Sequence, residues 1–178
     1  MVDLTLDEIR AVAGYAARCA VRALPLYERD VSADLRAREA IDAAAAFADG
    51  GPRTKTLRTV AFAALKSAGE APTPVAEHAA RAASHAAGAA FLHPLAKATQ
   101  VKHLLGSAAH AALAAELDAG GDLVLGEAEL DRARWEVPPT VIDVLRRYPA
   151  APGGGGRLGE LVRRLDGSLR ASSDGPKA

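Results

Sequence analysis

Apolar residues recur every three or four positions along most of this chain, the spacing of helices that bury one face. Leu6, Ile9, Val12, Ala13, Ala16 and Ala20 share one side of a first helix, which Thr5 and Glu8 open with a capping box and which runs to about Tyr27. Ser32 is placed to cap a second helix over residues 34–48, with Ile41, Ala44, Ala45 and Ala48 on one side and Gly50, Gly51 and Pro52 as its stop. A third helix over 54–68 follows through Leu57, Val60, Ala61, Ala64 and Leu65, and Pro74 suits the first turn of a fourth. The fourth, 75–90, places Val75, Ala79, Ala82, Ala86 and Ala89 on one stripe, with Glu77, Arg81 and Ser84 opposite.

His93 and Pro94 break the pattern before a fifth helix that reaches about Leu117, with Val101, Leu104, Leu105, Ala108 and Ala112 on its apolar face and His103 and His110 roughly opposite. Gly120 and Gly121 end it, and shorter helices are expected over 127–136 and 140–147, with Trp135 as a packing anchor. Beyond Pro152 and a loop of glycines at 153–156, a last amphipathic helix over 158–169 presents Leu158, Leu161, Val162, Leu165 and Leu169. No strand pattern interrupts the first half. The fold class is therefore all-α: a single alanine-rich antiparallel bundle of about five core helices (1–118), a helical C-terminal extension on the same domain (119–171), and a disordered tail (172–178).

Composition sharpens this picture in one respect. Hydrophobic residues make up 49% but aromatics only 4%, so the core gains its stability from many close helix contacts through alanine rather than from large side chains. Small-residue faces of this kind also allow a homodimer. The 25% of charged residues balance to a net charge of zero, which argues against a dedicated nucleic-acid binder. Asp3, Asp7, Glu8, Arg10 and Arg18 interrupt any signal-peptide pattern, Cys19 has no partner for a disulfide, and no apolar run is long enough for a membrane anchor, so a cytoplasmic location is expected.

The chemically unusual window is the fourth and fifth helices. All five histidines, His78, His85, His93, His103 and His110, fall there, and no Asp or Glu lies between Glu77 and Glu116. His78/His85 and His103/His110 are each seven residues apart, two helical turns, which marks one side of each helix. A metal ion needs histidines three or four residues apart on one helix, whereas two turns separate these by about 10 Å. No metal, no cofactor and no catalytic set is expected. Arg81, Lys97 and Lys102 add a local positive charge suited to an acidic protein partner. His78, Arg81, His85, His93, Lys97, Lys102, His103 and His110 are thus the candidate ligand- or partner-binding residues.

Four segments carry a family resemblance: Ala16 to Ala20 (AARCA), Leu24 to Glu28 (LPLYE), the D-x-R-x-R-x-A-I pattern from Asp34 to Ile41, and His93 to His103 (HPLAKATQVKH). They resemble a bacterial family of alanine-rich helical proteins called putative immunity proteins, over most of residues 4–117 and more loosely 140–169. Where members often have Pro, this chain has Ala37. The resemblance implies a non-enzymatic protein that binds a toxin. Relatives with a similar extension carry exonuclease-subunit labels, but the chain has no phosphate-binding loop, coiled coil or metal–carboxylate nuclease motif. Two other readings stay open on the residues themselves. One is a small-molecule-binding protein or enzyme with a pocket between the fourth and fifth helices, lined by His78, His85, His103 and His110, in which Arg81 or Lys102 orients an anion. The other is a nucleic-acid-associated protein, which requires Arg157, Arg163, Arg164 and Arg170 to form one continuous basic strip.

Overall fold

A computed structural model describes residues 1–172 and contains eight α-helices and no strand among them. The helices are α1 (Leu6–Asp30), α2 (Arg36–Ala48), α3 (Lys55–Glu70), α4 (Pro74–Gly88), α5 (Val101–Asp118), α6 (Leu123–Trp135), α7 (Pro139–Arg146) and α8 (Gly156–Ala171). The expected disordered tail lies, from residue 173 on, outside the described residues.

Start signals explain most of the helix boundaries. The Thr5 capping box forms as expected: the Glu8 amide donates to Thr5 Oγ1 (3.2 Å) and the Thr5 amide to Glu8 Oε2 (2.8 Å). Thr73 caps α4 by accepting from the Ala76 amide, ahead of Pro74 at the first helical position. Ser32 does not cap α2. That helix begins at Arg36 with no side-chain cap, because Asp34 turns its carboxylate onto the Arg36 amide and guanidinium instead. Helix α6 starts at Leu123, four residues earlier than the pattern predicts, under a cap from Asp122 to the Val124 amide.

The core is assembled around α4 and α5. Helix α4 buries Ala76, Ala79, Ala80, Ala82, Ala83, Ala86 and Ala87 against α1, α3 and α5, and these small side chains let the helices approach closely. Helix α5 has no solvent face of the expected kind. Leu104, Leu105, Ser107, Ala108, His110 and Ala112 are all buried, since α1, α4, α6 and α8 surround it. Hydroxyls close the seams: buried Ser107 Oγ donates to the Ala16 carbonyl (2.7 Å), buried Tyr15 OH to the Ala133 carbonyl (3.1 Å) and half-buried Ser84 Oγ to the Ala61 carbonyl (2.9 Å). Trp135 is 82% exposed and anchors nothing; Ala133 and Leu130 supply the inward face of α6 instead.

Between α4 and α5 the chain breaks at His93 and Pro94 as predicted, but over a longer span, with short 3-10 turns at Ala89–Phe91 and Ala98–Gln100. The α8 arginines are each held locally. Arg157 meets Glu116 (2.8 Å), Glu127 (3.1 Å) and Glu160 (3.1 Å), and Arg164 meets Glu127 (2.9 Å). Arg163 donates to the Pro152 and Gly154 carbonyls, and Arg170 to Asp166 and the Leu145 and Tyr148 carbonyls. Arg157, Arg164 and Arg170 each pair with an acid of this chain, which offsets charge that the nucleic-acid reading asks them to present. No described helix is long and apolar enough to cross a membrane.

Candidate functional site

Helical spacing brings His78, Arg81 and His85 to one side of α4, and Lys102, Gly106 and His110 to one side of α5. Since α4 and α5 pack directly on each other, these two rows meet and form one wall of a cavity of about 540 Å³. The opposite wall is Pro152, the glycines at 153–155, and Leu158, Gly159 and Val162 of α8. Glycine is required in that loop, because Gly154, Gly155 and Gly156 have φ of 81°, 80° and 57°, a left-handed region that side chains avoid.

Three histidines stack within this wall. The His110 ring lies 5.1 Å from the His78 ring and 5.1 Å from the His85 ring, tilted by 31° and 24°. His78 Nδ1 and His110 Nδ1 are 2.9 Å apart, so one ring donates and the other accepts. Burial is the main reason that all three titrate below the usual imidazole range. For His85, held at about 4, the positive charges of His103, Arg81 and Lys102 add to the shift. His110 is pushed down further by His85 and His78, and His78 by Arg81 against the opposing pull of Glu77. At neutral pH the cluster is uncharged, and the Nδ1 contact is a hydrogen bond between two neutral rings.

Fixed charge in the cavity comes from three groups. Arg81 Nε donates to Glu77 Oε1 (2.9 Å), while Lys102 is exposed and has no ion-pair partner among the described residues. The positive field expected from Arg81, Lys97 and Lys102 is narrower than the sequence suggests, because Glu77 holds Arg81 and Lys97 lies elsewhere.

Of the eight candidate residues, five therefore line the cavity: His78, Arg81, His85, Lys102 and His110. His103 lines a smaller, mostly apolar hollow of about 290 Å³ with Phe62, Leu65 and Phe91, reached from the other side of His85. Burial lowers the pKa of His103; its Nδ1 makes no hydrogen bond of acceptable geometry, although the Gly88 backbone offsets part of the shift. His93 and Lys97 line neither space. His93 Nδ1 accepts from the Leu95 amide and the His93 carbonyl from Tyr148 OH, which ties the α4–α5 connector to the segment after α7. Missing from the candidates were Glu77, Gly106 and the whole α8 wall; a glycine midway between Lys102 and His110 was the available signal for Gly106.

The described residues hold neither a metal-ligand cluster nor an activated thiol. No three His, Cys, Asp or Glu side chains are grouped so as to hold a metal ion. Cys19 is buried and its thiol is pushed up to about 11 by that burial, the reverse of an activated nucleophile.

Fold and site together define an all-α bundle protein with a histidine-lined surface cavity. The Imm-5 like putative immunity protein family matches residues 3–137, and the chain belongs to that family. The match spans α1 to α6 and stops short of α7, so α8 and the glycine loop of the cavity lie beyond it. No curated protein and no solved structure matches the chain.

Proposed function

We propose that this chain is a non-enzymatic immunity protein that binds a toxin and neutralises it. The family match over residues 3–137 carries this reading. The build of the molecule supports it. A closely packed bundle, with α4 buried against its neighbours through alanines, presents a preformed surface, and such a surface binds without the entropic cost of ordering loops. Neutralisation of this kind needs complementary shape and charge and no reacting group.

The test uses the full chain, tagged, as bait in lysate of its own source. A captured protein is then expressed in a heterologous bacterial host, alone and together with this chain. The expected result is growth arrest by the captured protein alone, relief on co-expression, and a stable purified complex of the two. Absence of any captured protein with these properties overturns the proposal.

A further inference from the structure

The immunity reading leaves the cavity between α4, α5 and α8 unused. We propose that it binds a small organic anion, a carboxylate or phosphate group attached to an apolar body. At about 540 Å³ the cavity has the size of sites that enclose small molecules. Its two walls differ in chemistry as such a ligand requires. Leu158 and Val162 offer an apolar surface, and Gly153 and Gly154 face open space, while Gly155 and Gly159 let the loop backbone pack closely against the first turn of α8. The facing wall holds Arg81, Lys102 and the three histidines.

Charge selects the sign of the ligand. Two fixed cations stand against the single carboxylate of Glu77. Lys102 has no partner among the described residues, and Arg81 meets Glu77 through Nε alone, leaving its two terminal nitrogens for a second acceptor. The His78–His110 contact adds a donor. In a neutral pair joined through Nδ1, the accepting ring must carry its proton on Nε2, so the pair ends in one N–H able to meet an anion. No side chain caps α8, and its first turn borders the same space, where the field of a helix start favours negative charge. A longer polyanion fits less well, because Arg157 and Arg164 of α8 are already paired with acids of this chain.

The experiment is nuclear magnetic resonance of the full chain, read at the imidazole and backbone signals, with three probes, phenyl phosphate, benzoate and benzyl alcohol, each against the chain with no addition. Saturable shifts of His78, His85 and His110 are expected with phenyl phosphate or benzoate at a Kd of roughly millimolar or tighter, and whichever saturates first assigns the anionic group. Lys102→Gln, an exposed substitution that keeps the amide spectrum of the fold, is expected to weaken that binding by about tenfold. Three results overturn the proposal: no saturation with either anion, equal binding of the neutral alcohol, or an unchanged Kd in Lys102→Gln.

Discussion

At Gly106 a side chain has no room. A methyl group there would lie 2.8 Å from Nδ1 of His85 and 3.0 Å from its Cγ, against an ideal contact of about 3.5 Å or more. The ring cannot simply step back, because it is stacked on His110 at 5.1 Å. Gly106→Ala gains about 1 kcal/mol of helix propensity but overpacks the α4–α5 contact at a cost of about 1–3 kcal/mol. The expected outcome is a lower midpoint in urea together with displaced His85 signals. An unchanged or higher midpoint would mean that the His85 ring swings freely into the cavity. Spacing by seven made the histidine pairs visible in the sequence. It could not show that His78 meets His110 rather than His103, since that pairing depends on how α4 and α5 are offset along their axes.

Helix α8 is held to the bundle by its own apolar stripe and by one buried acid. Glu116 of α5 is 5% exposed, and Arg157 of α8 is its ion-pair partner at 2.8 Å. Arg157→Ala leaves that carboxylate buried and unpaired, which costs about 2–4 kcal/mol; replacing both residues, with Glu116→Leu, recovers much of the loss. Hydrogen exchange along α8 is the measurement: amides of 158–169 should exchange faster in the single variant and return towards the parent in the double. Equal protection in all three would assign the docking to Leu161, Leu165 and Leu169 alone. The amphipathic stripe of α8 was legible from sequence, and those three leucines are buried. Its basic face read as solvated or available to a partner, whereas the structure spends it on Glu116, Glu127 and local carbonyls. Acids some 30 to 40 residues distant along the chain leave no periodic trace. The same limit explains Trp135: α6 turns Gly126, Leu130 and Ala133 inward and leaves the indole in water.

For the molecule as a whole, the buried and half-buried histidines make stability depend on pH in a definite direction. His78, His85, His103 and His110 all have folded pKa values below the unfolded value near 6.5. Below that value the unfolded chain takes up protons that the folded chain refuses, so stability present at pH 7.5 is lost as pH falls from about 6.5 towards 4. With Arg81 and Lys102 beside the cluster and only Glu77 opposing them, the field does not reverse this. His85 alone, at about 4, accounts for on the order of 1–2 kcal/mol by pH 5. A thermal-unfolding series should therefore show Tm falling between pH 7.5 and 5, and falling less in His85→Gln; a flat profile would show the cluster to be solvated. Carboxylates enter later. Glu8, lowered to about 2 by Arg147 on the other side of the α1–α7 seam, supports the fold fully above its ordinary value of 4.5 and loses that support progressively as pH falls towards 2.

What the sequence determined by itself is what depends on near neighbours. Helix periodicity, the Thr5 capping box, the break at His93 and Pro94, and the alanine stripe of α4 are all written within a few residues of where they act, and the four segments that carry the family resemblance are equally local. Tertiary structure alone decided which faces α5 buries, which arginines keep a free charge, and that Leu158 and Val162 close a cavity over histidines more than 45 residues away. Those outcomes depend on the offsets and rotations of packed helices. Alanine faces set them only weakly in sequence, because one small side chain packs much like another and the choice is made by the sum of contacts over the whole bundle.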